Sequence, residues 1–231
     1  MNILSNIIPS FLNSITNFPR REVISFAYLS IEKIFGFSKS DCIVNSKKVL
    51  TIENINQLNK IIGDLKKNIP IQYILGETTF CGLKFNVNNS TLIPRNETEE
   101  LVNLILNYKF NSLLDIGTGS GCIAISIAKK TASSVSAIDI SHQAISIAKK
   151  NAIINNVSVD FRVADIFNFD DKRKYDIIVS NPPYVCESDK QNLHKNVVDH
   201  EPHLALFVKD SNPLIFYKRI AQYALTNLNK K

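Results

Sequence analysis

The sequence predicts an α/β fold, with a doubly wound, mostly parallel sheet preceded by a small N-terminal helical bundle and a β-hairpin. Three observations lead to this prediction. Up to about residue 75, apolar residues recur at helical spacing between short polar breaks. After residue 110, short runs rich in β-branched residues alternate with helical patterns, as in βαβ units. A glycine-rich loop connects the first of these strands to its helix.

We therefore expect three segments: a helical domain at 1–75, a β-hairpin linker at 76–95 and a ligand-binding α/β domain at 96–231. The hydrophobic content of 45% is ample for a core. The net charge of +6 permits an anionic partner, but Lys and Asn are spread throughout and no dense basic run occurs. Direct DNA binding is therefore not expected.

The four cysteines are scattered without a C-x-x-C pair, which indicates reduced thiols in a cytosolic protein. The spacing of Cys186, His194, His200 and His203 fits no standard zinc pattern, so we expect no metal site. Residues 1–10 lack the basic start and long apolar run of a signal peptide, and no apolar run could span a membrane. The expected location is cytoplasmic.

Two helices stand out in the first segment. Residues 21–35 carry apolar side chains at helical spacing, and Gly36 follows as a stop signal. Thr51 is placed to cap a second helix, with Glu53 in its first turn. This bundle serves either packing alone or recognition of a protein partner.

Two short strands, at 78–80 and 83–87, are predicted to form a hairpin around Cys81 and Gly82. Asn96, with Glu99 three residues later, resembles a capping box at the start of the next helix. Arg95 is either a surface charge or a contact to an anionic group, since a cation opposes the dipole at a helix start.

The strand at 112–116 ends in Asp115 and Ile116 and leads into a loop of spacing G-x-G-x-G. That loop consists of Gly117, Thr118, Gly119, Ser120 and Gly121. A helix is predicted over 122–130. Glycines between a strand and a helix allow the backbone to approach a ligand closely. The dinucleotide pattern would require glycine in place of Cys122, so a nicotinamide cofactor is disfavoured.

The next two strands, at 135–139 and 157–163, are each followed or ended by a carboxylate. Asp139 is placed to accept hydrogen bonds from two ribose hydroxyls. Asp165 could accept from an adenine amino group while Ile166 packs on the ring. Each aspartate alone could be an ordinary cap or turn residue. Three consecutive strand ends with these residues indicate a nucleoside-type ligand at the carboxyl edge of the sheet.

The fourth strand, over 175–179, is rich in β-branched residues, as in a strand covered on both faces. Asn181, Pro182, Pro183 and Tyr184 then end it, because neither proline has an N–H to donate. The Asn181 side-chain oxygen and the Pro182 carbonyl could hold the two N–H groups of a planar nitrogen, with Tyr184 on its flat face. Such a clamp suits methylation of an amide or exocyclic amine. The alternative is a simple loop breaker.

These residues resemble the class I S-adenosylmethionine-dependent methyltransferases, and more narrowly the release-factor glutamine methyltransferases (the HemK/PrmC family). The similar segments, which span nearly the whole chain from about Pro19, lie at 70–77, 92–99, 115–121, 139, 180–185 and 197–206. The N-P-P-Y motif alone is shared with adenine methylases. The proline-arginine segment at 92–95 and the helical front domain are more specific.

The resemblance implies that S-adenosylmethionine is the cofactor. Its methionine end would lie against Asp115 and the loop from Gly117 to Gly121, its ribose on Asp139, and its adenine on Asp165 and Ile166. The catalytic group would be Asn181, Pro182, Pro183 and Tyr184, with Asn181 also beside the cofactor. Arg95 and Thr98 would line the cofactor side of a cleft between the domains.

The implied substrate is the glutamine of the Gly-Gly-Gln motif in peptide chain release factors, gripped by the helical front domain, with ribosome association left open. A glutamine methyltransferase acting on a ribosomal protein and an adenine N6 methyltransferase remain as alternatives. The adenine enzyme should carry a DNA-reading domain and a basic groove, which the sequence does not indicate.

Two departures from the family stand out. His200 replaces a usual tyrosine, and after a helix at 214–225 the chain stops at Lys231, where the family continues with further strands. We expect a sheet lacking three strands, with the Asn181 strand at an edge. The chain is then a working enzyme, a truncated remnant, or a non-catalytic protein that binds release factor. The intact site motifs favour the first.

Overall fold

The computed structural model describes residues 2–230 and divides them into two compact units, one up to Leu75 and one from Gly76. The first unit is helical. Its helices are α1 (Ile7–Ser14), α2 (Arg20–Phe35), α3 (Lys39–Val44), α4 (Ile52–Lys66) and α5 (Ile71–Leu75), after a 3₁₀ turn at Leu4–Asn6. Their apolar faces meet in a core that includes the fully buried Phe11, Ile31, Leu58 and Leu65.

The two helices predicted in this unit are confirmed as α2 and α4. Gly36 ends α2 in the left-handed conformation, with φ of 68°, which glycine adopts without steric cost. Thr51 caps α4 by accepting from the backbone N–H of Asn54, whose side chain accepts from the Thr51 backbone in return. The short helices α1, α3 and α5 were not predicted.

The second unit begins with the predicted hairpin, formed by β1 (Glu77–Phe80) and β2 (Leu83–Asn86). Cys81 and Gly82 form its two-residue turn, with φ of 50° and 77°. Such positive angles match the twist of the flanking strands. Helix α6 (Asn96–Leu106) follows.

The capping box predicted for α6 is wrong. Arg95 is the cap residue and makes no side-chain capping bond. The Glu99 carboxylate instead accepts from the backbone N–H of Cys81 at 2.6 Å. A tertiary partner in the hairpin turn has replaced the local one, because the free N–H of a tight turn also requires an acceptor.

The main sheet has four parallel strands in the order β5-β4-β3-β6. They are β3 (Ser112–Ile116), β4 (Ser134–Asp139), β5 (Asp160–Val163) and β6 (Ile177–Ser180), with α7 (Cys122–Lys130) and α8 (His142–Ile154) as crossovers. Ile116 pairs with Ile138 on one side and with Ser180 on the other. This register brings the carboxyl ends of the strands to one edge. The predicted α/β architecture with a parallel sheet is confirmed.

Both faces of this sheet are covered. One face packs on α6, α7, α8 and the hairpin through residues such as Leu113 and Ile125. The other face meets α10 (Ile215–Asn227), where Leu114, Ile138 and Tyr223 share a second cluster. This two-sided covering explains why four consecutive residues are buried in each of β3 and β4, at 113–116 and 135–138.

Strand β6 lies at a sheet edge in the described part of the chain, as expected. Its apolar residues pack on both faces as predicted, Ile177 and Val179 in the cluster with Leu113 and Ile178 in the cluster with Leu114, although only Val179 is fully buried. Just before β6, the backbone N–H of Tyr175 donates to Asn227 at 2.8 Å, and that of Asn229 donates to Tyr175 at 2.9 Å. The third predicted strand is also shorter than expected and begins at Asp160.

The segment after β6 was not predicted in detail. It holds a short parallel pair, β7 (Val185–Cys186) and β8 (Phe207–Val208), and between them α9 (Lys195–His200) with 3₁₀ turns at Glu187–Asn192 and His203–Ala205. None of the helices within residues 2–230 combines the length and apolar character needed to cross a bilayer.

Candidate active site

A cavity of about 460 Å³ opens at the carboxyl edge of the main sheet, within the range of about 300–1,000 Å³ usual for small-molecule sites. Ten of the predicted site residues line it: Gly117, Thr118, Gly119, Ser120, Asp139, Asp165, Ile166, Asn181, Pro182 and Pro183. Residues from four different strand ends thus face one volume, as their position after parallel strands predicts.

Three predicted site residues do not line this cavity. Asp115 is fully buried beneath the glycine loop, where its Oδ2 accepts from the Thr118 hydroxyl at 2.6 Å. Gly121 begins α7 with φ of 82°, and an added Cβ there would lie 2.8 Å from the Ile125 side chain. Tyr184 is 60% exposed. Asp115 and Gly121 therefore support the glycine loop from within the protein. Tyr184 lies outside the cavity wall.

The glycine loop is held from below by backbone hydrogen bonds. The N–H groups of Gly117 and Thr118 both donate to the carbonyl of Ile138, at 2.9 and 3.0 Å. Gly117 and Gly119 have φ of 72° and 56°, and the space that a Cβ would occupy at each is open. The loop therefore offers bare backbone to a ligand in the cavity.

Asp139 joins this loop to the end of β4. Its Oδ2 accepts from the Gly119 N–H at 2.8 Å, and its Oδ1 accepts from the Ser141 N–H at 2.9 Å. Burial raises the pKa of Asp139, and the backbone hydrogen bonds from Ser141 and Gly119 oppose that rise. Each oxygen retains a lone pair, so the group can accept further from a ligand.

Asp165 is a turn residue that also lines the cavity. Its oxygens accept from the Phe167 N–H at 3.0 Å and from the Asn168 side chain at 3.1 Å, so it is a turn residue. It also lines the cavity next to Ile166. A turn that aims a carboxylate at an apolar wall can serve a flat ring that carries an amino group.

The Asn181 side chain lies against α6. Its Nδ2 donates to the Thr98 hydroxyl at 3.3 Å, and in this arrangement its oxygen is left to accept from a ligand. The preceding Ser180 hydroxyl donates to the Ile116 carbonyl at 2.7 Å, which fixes the end of β6 to β3. Asn181 and Asp139 both line the one cavity.

Two protein families match this chain: the PrmC N-terminal domain over residues 10–76 and the Methyltransferase small domain over residues 96–205. A release factor glutamine methyltransferase from Flavobacterium psychrophilum is 45% identical over 237 residues, covering 98% of this chain and 83% of that protein. Another from Bacteroides thetaiotaomicron is 45% identical over 227 residues, covering 96% and 81%.

The chain belongs to the release factor glutamine methyltransferase family. The resemblance identified in the sequence is thereby confirmed. Among solved structures, a methyltransferase from Pyrococcus furiosus aligns over 64% of this chain and 65% of its own, with 18% identity and a TM-score of 0.47.

Several residues of this release factor glutamine methyltransferase family member were missed as site residues. Helix α10 adds Phe216 and Ile220 to the cavity wall beside Ile166. Arg219, on the same helix, donates to the carbonyls of Ile166 and Phe169 at 2.7 and 3.2 Å. No local pattern signals these contacts, because they join segments about fifty residues apart.

Arg95 has an anionic partner within the chain. Its Nη2 lies 2.6 Å from Oε1 of Glu201, whose side chain is only 2% exposed. The Ile93 N–H donates to the other Glu201 oxygen at 3.4 Å. Ile93 and Arg95 line the cavity, as does Pro202 next to Glu201. This ion pair therefore joins two parts of the cavity wall that are far apart in sequence.

Asn151 is a fully buried side chain with every polar atom satisfied. It donates to the carbonyls of Ser120 and Asn86, at 2.8 and 3.0 Å, and accepts from the Asn86 N–H at 2.7 Å. It thus ties the glycine loop to the hairpin. Within residues 2–230 there is no group of three or more His, Cys, Asp or Glu side chains that could hold a metal ion.

Proposed function

We propose that this protein transfers a methyl group from S-adenosylmethionine to the side-chain nitrogen of the glutamine in the Gly-Gly-Gln motif of peptide chain release factors. Membership of the glutamine methyltransferase family supports the reaction class. The observation that carries the proposal is that Asp139 and the Asn181 amide line one cavity of about 460 Å³. A nucleoside cofactor and an amide acceptor can therefore occupy the same site.

The residues present fit this cofactor. The bare backbone of Gly117 and Gly119 suits close approach of its methionine end. Ser120 also lines the cavity, although its hydroxyl oxygen is itself buried. Asp139 would hold the ribose hydroxyls, and Asp165 with Ile166 the adenine.

The acceptor nitrogen is a poor nucleophile, because its lone pair is delocalised into the amide. When bound, the cofactor supplies a methyl group on a positively charged sulfur. The Asn181 oxygen and the Pro182 carbonyl would accept the two N–H bonds of the acceptor and turn its lone pair toward that methyl group. The acceptor nitrogen would gain the methyl group and lose one N–H proton to solvent, with S-adenosylhomocysteine as the other product. Positioning of this kind supplies several kcal/mol of a barrier.

The division of the chain follows from this proposal. The segment 1–75 would recognise the release factor, 76–95 would act as the hairpin linker, and 96–231 would bind the cofactor and carry out transfer. The exposed Tyr184 ring is available to pack on the flat face of the incoming amide. A substrate that acts in translation implies a cytoplasmic location.

The test is a methyl-transfer assay that offers release factor, a ribosomal protein and DNA side by side, with Asn181→Ala as the matched variant. We expect transfer to release factor alone, loss of that transfer in Asn181→Ala, and unchanged cofactor affinity by calorimetry. Transfer to DNA or to the ribosomal protein in preference would overturn the substrate. Full turnover by Asn181→Ala would overturn the clamp.

A further inference from the structure

Thr98 makes a contact that bears directly on the acceptor clamp. It lies in the first turn of α6, is 7% exposed and lines the cavity. Its hydroxyl oxygen accepts a hydrogen bond from Nδ2 of Asn181 at 3.3 Å.

An asparagine amide is nearly symmetric in shape but not in chemistry, since one end donates and the other accepts. A clamp for an N–H₂ group works only when the oxygen of Asn181 faces the acceptor. In the flipped orientation, the amide would present its own N–H groups to those of the substrate. We infer that Thr98 is a positioning residue, whose hydroxyl holds the Asn181 side chain in place by accepting from Nδ2 and so leaves the amide oxygen to the acceptor nitrogen. This inference rests on the proposed function.

Thr98 can serve this purpose because its helical turn is anchored on two sides. The Arg95 side chain, one turn earlier, is held by the buried carboxylate of Glu201 at 2.6 Å. The next residue, Glu99, accepts from the Cys81 N–H in the hairpin turn at 2.6 Å. The Thr98 backbone N–H itself donates to the Arg95 carbonyl at 3.0 Å. The hydroxyl is therefore presented at a defined point, with little freedom to follow a moving amide.

A buried threonine could instead serve packing alone. Two variants distinguish these roles, because each role predicts a different variant to be the more damaging one. Thr98→Val keeps the shape and removes the hydrogen-bond acceptor. Thr98→Ser keeps the hydroxyl and removes the methyl group. A positioning role is lost in the valine variant and retained in the serine variant, whereas a packing role follows the reverse order.

The experiment uses the full chain with S-adenosylmethionine and release factor, and it measures kcat, KM, cofactor affinity and melting temperature for each variant. We expect Thr98→Val to lower kcat roughly tenfold to a hundredfold, the scale of a misplaced reacting group, with cofactor affinity unchanged. Thr98→Ser should keep kcat within about threefold, since the acceptor oxygen remains. If Thr98→Val fails to fold, Thr98→Ala removes the same acceptor and is compared with Thr98→Ser.

Two further outcomes decide between this inference and the proposed function. Undiminished kcat in Thr98→Val, or a larger loss in Thr98→Ser than in Thr98→Val, overturns the positioning role while an inactive Asn181→Ala leaves the proposed function standing. Absence of transfer to release factor by the unsubstituted chain overturns the proposed function itself.

Discussion

The Asp139 carboxylate accepts a hydrogen bond from the backbone N–H of Gly119 at 2.8 Å, across the boundary between the end of β4 and the loop after β3. One side chain therefore shapes the glycine loop and faces the cavity that the loop borders. This coupling makes the loop conformation depend on Asp139 before any ligand arrives.

Replacement of Asp139 by asparagine should weaken cofactor binding. One of the two backbone N–H groups then faces an amide N–H₂ instead of an oxygen, and the charged acceptor proposed for the ribose is lost. Hydrogen bonds to charged groups are worth about 1.5–3 kcal/mol, so we expect the cofactor Kd to rise by roughly tenfold to a hundredfold in calorimetric titration. The exposed Asp199 provides the control variant Asp199→Asn. Equal affinity in both variants would contradict the assignment.

Gly121 is predicted to be required for packing. Its φ of 82° is unfavourable for other residues, and an added Cβ would lie 2.8 Å from Ile125 Cδ1 and 3.1 Å from Ala148 Cβ. Gly82 shares a positive φ, of 77°, but has open space around it. We expect Gly82→Ala to lower the free energy of unfolding by about 1 kcal/mol, and Gly121→Ala by about 2–4 kcal/mol because overpacking adds to the strain.

Chemical denaturation of the two glycine variants measures this difference. The Ala148 methyl group is the decisive neighbour, because it has no rotamer through which to move away. A Gly121→Ala protein as stable as Gly82→Ala would mean that α7 and α8 can separate freely at this point, contrary to the packing described.

Asp115 should make stability fall as the pH rises toward neutrality. Burial raises the pKa of this carboxyl to about 7, although the Thr118 hydroxyl and the Ala124 N–H oppose the rise. The folded state then holds the proton more tightly than the unfolded state, where the ordinary value is 3.8. The resulting stabilisation is complete below about pH 4 and is lost as the pH rises through about 7.

Asp115→Asn removes this titration. Its free energy of unfolding relative to the unsubstituted protein should rise between pH 4 and pH 8, by on the order of 4 kcal/mol. Denaturation curves at a series of pH values measure the change with pH, which is independent of any constant offset from the substitution. Parallel stability curves for the two proteins would disprove a raised pKa.

Asp171 should have the opposite pH dependence. Although desolvation raises its pKa, hydrogen bonds from Arg162, Arg173 and Tyr175, at 2.7, 2.9 and 3.0 Å, lower it further, so the net shift is downward. The stabilisation is therefore present above the ordinary value of 3.8 and is lost as the pH falls through the lower folded value.

At pH 7 we expect Asp171→Asn to cost roughly 1–3 kcal/mol of stability, since charged hydrogen bonds are replaced by weaker ones. The difference in unfolding free energy between Asp171→Asn and the unsubstituted protein should become smaller as the solution is acidified below about pH 4. Its exposed neighbour gives the control, Asp170→Asn, which should stay close to the unsubstituted protein. A gap that stays constant down to pH 2 would show that Asp171 is not held ionised by this cluster.

Elements whose signals are local were predictable. Helix α7 has the predicted bounds, Cys122–Lys130, because glycine before it and apolar periodicity within it both act over a few residues. Thr51 caps its helix as expected. The predicted Asn96 capping box does not form, because the Glu99 carboxylate accepts from the backbone N–H of Cys81 instead. Cys81 lies 18 residues away in the sequence.

The candidate site divides in the same way. Asp139 and Asn181 could be placed from sequence, because residues at the carboxyl ends of parallel strands must collect at one edge. Glu201 could not, since its partner Arg95 is 106 residues away. Phe216 and Ile220 could not be predicted as site residues either. The face of α10 that lines the cavity depends on how that helix packs on the sheet.

By itself the sequence determined the hairpin, the alternation of strands and helices from β3 to β5, the glycine loop and the polar residues at each strand end, because backbone propensity and side-chain periodicity are properties of short segments. The tertiary structure alone decided which of those polar groups line one cavity and which form hydrogen bonds inside the protein. Donors and acceptors are satisfied by whatever neighbours the packed sheet brings within about 3 Å, regardless of their distance along the chain. Such packing places Asp115 beneath the glycine loop and Thr98 beside the Asn181 amide.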